Sequence, residues 1–406
     1  MKVAMLTTVN ERCGIAAYSA ALVEALRRMP GLDVEVTPIK PGMQPASHYL
    51  KQARRLNSPD VDVVHIQHEY SFWGGFLPRR SSYWYLRSLI RKPVVQTAHS
   101  PLPVRRLLCV DWEKRPHHRL AKKLLLRSRA YRESIEFAPF ATDVTVVHTE
   151  AARSESIGRG VEPGRVVVVP TGVPAPSHPD ADGRVFRQWY GLGGKRVVTI
   201  FGYVTPNKGY ELTLKVLPSL PRDVVLVAAG GARLPGEELH VHALRHRIAE
   251  ANLQERVVIT GYLSERQVAE AMRGSDLVLA PHTEATGSYS VTMPLSYGRP
   301  ILAADLPCFS ETASRVDCLE LFEAGNEADY RRKLLSLLGD AARREELASG
   351  ALKYASQFGW PWVAARTVEV YEKAVCAYRE SGQLHGARAG SMTASAGGWR
   401  RQYGRG

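Results

Sequence analysis

Residues 276–302 read DLVLAPHTEATGSYSVTMPLSYGRPIL. The segment opens on an apolar run that ends near Ala280. Pro281 and His282 lead to Glu284; Gly287, Ser288, Tyr289 and Ser290 then precede a helical run to Gly298. A second β-like run, RPILAADLP (299–307), follows. Strand, loop, helix and strand in this order predict a βαβ unit and a parallel sheet. Both strands are apolar without strict alternation, as strands covered on both faces are.

The same alternation extends in both directions. Upstream in the second half, RVVTIFGYV (196–204), DVVLVAAGG (223–231) and RVVITGYL (256–263) are strand candidates with helical stretches between them. The first half repeats the pattern with VAMLTTV (3–9), VDVVHIQ (61–67), PVVQTAH (93–99), DVTVVHT (143–149) and RVVVVPTGV (165–173). A helix after the first strand carries Ile15, Tyr18, Leu22 and Leu26 at helical spacing. Between the two arrays lies PAPSHPDADG (174–183), a linker by composition. Two βαβα arrays predict two doubly wound α/β domains, 1–178 and 179–364, with a ligand cleft between them. A helical stretch closes the ordered part near residue 380, and the Gly/Ser/Ala/Arg-rich residues 381–406 read as a disordered basic tail.

Composition narrows the function classes. The chain has 406 residues, 45% hydrophobic and 23% charged, which excludes disorder as the whole account. No run approaches the roughly 18 apolar residues of a membrane span, and the start lacks a signal-peptide pattern. The five cysteines are scattered, with no CxxC pair, which fits a reducing cytoplasm. The net charge of +14 is uneven. Residues 1–179 carry +11, residues 180–380 carry −1 and the tail carries +4. A basic half suits an anionic ligand or an anionic membrane surface. The segment 104–134 holds ten Lys/Arg against three acids with interleaved leucines, and predicts a basic amphipathic helix for the inner membrane face. No nucleic-acid-binding module, GxGxxG or Walker A sequence is present.

Site candidates sit at strand ends. Gly14 opens the first helix, where a glycine and free N–H groups admit a phosphate. His68 and Glu69 follow one strand and His99 another, on the rim where open α/β sheets bind ligands. No third residue at a recognisable spacing makes them a metal site, and no metal or cofactor is expected. In FGYVTPNKGYE (201–211), Lys208 precedes a helix and can hold a diphosphate as a point charge. Ser288, Tyr289 and Ser290 would present backbone N–H groups to the same anion, while Glu284 would accept hydrogen bonds from hydroxyls. Lysine, helix end and carboxylate together suit a ligand that is part sugar and part diphosphate.

The segments CGIAAYS, IQHEYSFWGG, TAHS, FGYVTPNKGYE and PHTEATGSYS…SYGRPILAADLP, in this order, resemble GT-B glycosyltransferases, most similarly glycosyltransferase family 4. The resemblance implies two Rossmann-like domains facing a cleft. The acceptor would bind mainly to the first, a nucleotide sugar mainly to the second, and the last helix (365–380) would cross back to the first. It implies transfer with retention to a hydroxyl acceptor, without a metal. Gly14 resembles the glycine facing the donor phosphates, His99 the histidine near the transferred sugar and Lys208 the diphosphate lysine. Glu284 resembles the first carboxylate of the E-x7-E motif; Tyr18, His68 and Glu69 fall on the acceptor side. Two features depart from the pattern: Thr292 stands where the second glutamate belongs, and Tyr203 and Thr205 occupy the stretch that usually holds a diphosphate arginine. Two alternatives stay open: a catalytically degenerate sugar-nucleotide or polyanion binder, which these departures support, and a GT-B-type nucleotide-sugar epimerase, which needs further acid/base carboxylates that the sequence does not identify.

Overall fold

The structure, a computed structural model, describes residues 1–9, 14–42, 44–73, 82–99, 117, 120, 124, 127, 142–158, 161–232, 238–285 and 289–392. Two six-stranded parallel sheets organise it. The first contains β1 (Lys2–Thr7), β2 (Asp33–Pro38), β3 (Val63–His68), β4 (Val94–Ala98), β5 (Val144–Val147) and β6 (Val166–Val168). Its order is β2-β1-β3-β4-β5-β6. Its described helices are α1 (Gly14–Arg27), α2 (Ala46–Leu56), α3 (Ser82–Leu89) and α4 (Glu150–Gly158).

The second sheet contains β7 (Arg196–Phe201), β8 (Val224–Ala229), β9 (Val257–Ile259), β10 (Leu277–Ala280), β11 (Ile301–Ala304) and β12 (Glu320–Phe322). Its order is β12-β11-β10-β7-β8-β9. Around it lie α5 (Arg184–Trp189), α6 (Tyr210–Val216), α7 (Glu238–Glu250), α8 (Glu265–Gly274), α9 (Tyr289–Ser296), α10 (Pro307–Arg315), α11 (Glu327–Gly339) and α12 (Ala341–Gln357). The chain then continues into α13 (Trp360–Met392).

The local causes are plain. VVLVAA in β8 is β-branched and apolar, and every residue of it is buried. Tyr18, Leu22 and Leu26 turn one face of α1 into the first core, where they meet Val3, Met5 and Val34. Ser264 caps α8 through Gln267 in a reciprocal capping box. Both sheets therefore have the buried, helix-covered strands that the sequence predicts. In each sheet the strand order reverses beside the first strand, between β1 and β3 and between β7 and β10. Open α/β sheets bind ligands at the carboxyl ends of such strands.

The domains are joined by two adjacent crossings. Val173 N donates to Phe358 O at 2.9 Å, and Val173 pairs with Gly359 as an isolated bridge. From there α13 packs on the first domain, with Trp360, Val363, Ala364, Val370 and Tyr371 in its core. The helix runs to Met392, past residue 380, where the sequence predicts the start of a disordered tail. Residues 393–406 lie outside the described residues.

Candidate functional site

Two groups of polar side chains stand at the carboxyl ends of the sheets. The second-domain group is built by the loops after β7 and β10, on either side of the strand-order reversal. Gly202 follows β7 with φ 106°, and a Cβ there would come within 3.2 Å of Lys208 Nζ. Glycine thus leaves room for the lysine to fold back over the strand end. Gly209, with φ 74°, follows the lysine, and a Cβ there would overlap the carbonyl oxygen of Pro281. The two loops therefore lie in contact. Thr283 N donates to Asn207 O at 3.0 Å, and Asn207 Nδ2 donates to the Glu284 carbonyl at 3.3 Å.

Lys208 Nζ donates to Ser290 Oγ at 2.7 Å, at the start of α9. The sequence-predicted lysine and serine are therefore in one place, with Tyr289 beside them on α9. Glu284 is exposed at the rim of the same loop. Ser288 lies outside the described residues. Burial pushes the Lys208 ammonium down to about 7 and the Tyr289 hydroxyl up to about 12. An ammonium so desolvated gains more than a solvated one from meeting a phosphate.

His282, which the sequence reading passed over as a link to Glu284, belongs to this group. It is buried, with Nε2 3.3 Å from Ser290 Oγ and its ring 5.4 Å from that of Phe309. Burial, and then the charge of Lys208, hold it down to about 3. It is a neutral imidazole and does not replace the charge of the missing arginine. Among the described residues of this cluster, Lys208 is the group that can carry positive charge.

The first-domain group surrounds His99, which follows β4. Tyr18 reaches it from α1, with ring centroids 4.9 Å apart. Tyr18 is buried, packed also on His148 and Trp360. His148, which follows β5, lies with Nε2 3.3 Å from His99 Nδ1. His99 Nε2 is 2.8 Å from Gln67 Oε1. Both ring nitrogens of His99 thus have protein partners, and burial holds its pKa well below the ordinary value. Gly14 opens α1 on an exposed turn with open space where a Cβ would be.

His68 lies apart from His99 as a side chain. Strand alternation sends it to the opposite face of β3 from His65 and Gln67. There it is buried, packed on Trp73 and Tyr83, and burial pushes it down to about 3. The link to His99 is through backbone, His99 N donating to His68 O at 3.2 Å. Glu69 is half-buried at the end of the strand. His148 carried the same signal as His68 and His99, a histidine at the end of an apolar run, and was legible in DVTVVHT.

Of the two groups, His148 reaches a cavity between the domains, while His99, Lys208, His282 and Ser290 are not in its lining. The cavity is lined by His148, Thr149 and Thr171 from the first domain and by Thr292, Cys308 and Phe309 from the second. Thr292, the residue at the place of the second glutamate, thus borders it. Across the same cleft, Glu311 of α10 accepts from the backbone N–H groups of Glu150 and Ala151 at 2.8 and 3.0 Å. The segment 104–134 lies almost wholly outside the described residues, but Leu120 and Leu124 within it are 62% and 55% exposed. Among the described residues no helix is long and apolar enough to cross a membrane.

Two family models match the chain. The family described as "Glycosyltransferase Family 4" matches residues 14–175, and "Glycosyl transferases group 1" matches residues 185–354. A D-inositol 3-phosphate glycosyltransferase of Nocardia farcinica is 28% identical over 369 residues, covering 89% of this chain and 75% of the relative. One from Streptomyces bingchenggensis is 28% identical over 261 residues, covering 61% of this chain and 56% of its own length. Among solved structures, Anabaena HepE in complex with UDP and glucose superposes with a TM-score of 0.68 at 18% identity, over 92% of this chain and 99% of that one. Sucrose-phosphate synthase from Thermosynechococcus elongatus gives 0.69 at 16% identity, over 93% and 100%. At these identities the two structures share the fold.

Proposed function

We propose, from the premise that this chain is a GT-B glycosyltransferase resembling family 4, that it moves a sugar from a nucleoside diphosphate to a hydroxyl group of an anionic acceptor, with retention and without a metal ion. The observation that carries the reading is the meeting of Lys208 and Ser290 at the strand-order reversal of the second sheet.

Glycosyl transfer leaves negative charge on the departing diphosphate and positive charge on the sugar carbon. Lys208 supplies a preorganised positive charge for the first. The N-terminal turn of α9 adds backbone N–H groups. Glu284, on the rim, accepts hydrogen bonds from sugar hydroxyls. His99 is part of the opposite wall; a sugar hydroxyl reaching its Nε2 competes with Gln67. The departing phosphate oxygen takes the acceptor proton on the face it leaves, which accounts for retention. Closure of the domains excludes water, so that transfer outruns hydrolysis.

The acceptor class is supported by charge and by likeness. The first half carries +11, which favours an anionic acceptor. The relatives named above are inositol 3-phosphate glycosyltransferases. The test incubates the protein and a panel of nucleotide sugars with inositol 3-phosphate and with inositol, in the presence of a chelator. Release of nucleoside diphosphate with the phosphorylated acceptor, and an anomeric proton coupling unchanged from donor to product, are the expected results. Activity that needs a divalent metal, or an inverted product, contradicts the reading.

Peripheral attachment at the inner membrane face through residues 104–134 belongs to the same proposal, supported by the exposed Leu120 and Leu124 among basic residues. Sedimentation with anionic vesicles at low salt is expected. Recovery of all the protein in the supernatant removes this element.

A further inference from the structure

A file of buried polar side chains connects the last helix to the cleft. Tyr371 Oη of α13 lies 2.8 Å from His65 Nδ1 on β3. His65 Nε2 is 2.8 Å from Thr97 Oγ1 and 3.2 Å from Gln67 Nε2. Gln67 Oε1 is 2.8 Å from His99 Nε2, and His99 Nδ1 is 3.3 Å from His148 Nε2. His148 Nδ1 ends the file 2.9 Å from the carbonyl oxygen of Val169. Burial pushes all three histidines below their ordinary values, so each carries one ring proton near neutral pH.

One proton on each ring leaves a single consistent direction. The Val169 carbonyl can only accept, so His148 holds its proton on Nδ1 and accepts at Nε2. His99 must then donate from Nδ1, which leaves a lone pair on its Nε2. That lone pair needs a donor, so Gln67 turns its amide N–H toward His99 and its oxygen toward His65. Amide oxygen and nitrogen are assigned from such networks, and this one assigns them in that order. His65 in turn donates from Nε2 to Gln67 and Thr97 and accepts from the Tyr371 hydroxyl at Nδ1.

We propose that this one-way chain of hydrogen bonds holds His99 with its proton on Nδ1, and that Gln67 and His148 are positioning residues that fix the ring for the cleft. The inference rests on the reading of His99 as a wall of the donor cleft. The chain explains why polar residues fill buried positions of β3 and β4: each satisfies its neighbour, and a half-satisfied network costs more than an apolar one.

The test is the ring-nitrogen spectrum of the full-length protein labelled with 15N-histidine, near neutral pH, with His99→Gln and His148→Gln used only to assign resonances. The expected result is proton on Nδ1 in His99 and His148 and on Nε2 in His65. Gln67→Glu, whose ionised carboxylate offers only acceptors, is expected to add a proton at His99 Nε2 while Nδ1 keeps its own, giving a doubly protonated ring. A wild-type His99 protonated on Nε2 or on both nitrogens overturns the proposal without any variant having to fold. The spectrum needs no substrate. Correct tautomers in a protein that transfers no sugar would sink the functional reading alone, and wrong tautomers in an active enzyme would sink the chain alone.

Discussion

Glu311 of the second domain accepts a hydrogen bond from the backbone N–H of Glu150 in the first, at 2.8 Å. Its other carboxylate oxygen takes the N–H of Ala151 at 3.0 Å. A carboxylate thus sits on the first turn of α4 from across the cleft. A charge at a helix start contributes about 0.3–1 kcal/mol when exposed to solvent. That is small against the stability of a domain and large enough to bias an open–closed equilibrium.

Glu311→Ala is therefore expected to fold and to loosen closure. The product ratio reads this directly. Hydrolysis of the donor, relative to transfer, should rise several-fold, because water reaches the sugar carbon more often. An unchanged ratio would show that the contact does not hold the cleft shut.

Lys208→Met should lower kcat/KM for the donor by at least about tenfold, or about 1.4 kcal/mol of transition-state stabilisation. Methionine keeps the bulk of the side chain and removes the ammonium that donates to Ser290. Steady-state rates with saturating acceptor check it. Near wild-type values would move the phosphate site elsewhere.

Burial pushes Lys208 from 10.5 down to about 7. A bound diphosphate favours the charged ammonium, so binding above that pH takes up a proton. Affinity should be level below about 7 and fall by up to about tenfold per pH unit above it. Calorimetry at pH about 8 in two buffers of different ionisation enthalpy should give different heats, and the difference should vanish at pH about 6, where the ammonium is already charged. The ligand-free protein has the matching sign: the unfolded chain binds more protons between about 7 and 10.5, so stability rises with pH across that window.

Gly209→Ala tests the packing of the two loops. Its φ of 74° and the Pro281 carbonyl both exclude a Cβ. Strain of this kind costs on the order of 1–3 kcal/mol, and each kcal/mol lowers Tm by roughly 2–4 °C for a domain of about 150–250 residues. Gly194→Ala, at φ 66° with open space around it, is the comparison and should lose less. Equal losses would mean that the contact with Pro281 is not what holds the Lys208 loop.

The sequence made the buried strands legible and the edges less so. β8 reads as a strand because VVLVAA is apolar throughout. The sequence reading placed no strand at β2 or β12, and both are edge strands. DVEVTP of β2 alternates acidic and apolar residues because one face meets solvent, and ELF of β12 is three residues long. At the site, FGYVTPNKGYE alone reads as a turn with a solvated lysine, and it is the resemblance to the family that singles out Lys208. His282 and Gln67 were not legible as parts of the site. Gln67 is placed by its contact with His99, 32 residues along the chain, and His282 by the fold of its own loop onto Ser290, eight residues on; neither contact is encoded in strand or helix periodicity. The glutamate at 311 gave no signal either, since its partners are backbone groups of another domain.

The central claim is that Lys208 anchors a nucleoside diphosphate. The most direct measurement is thermal unfolding of the wild type and Lys208→Met with UDP, GDP, ADP and dTDP, without added metal. A ligand that binds the native state raises Tm by mass action. The account predicts a rise with one nucleotide in the wild type, absent in Lys208→Met. No rise with any of them at millimolar concentration, or an equal rise in the variant, would contradict it.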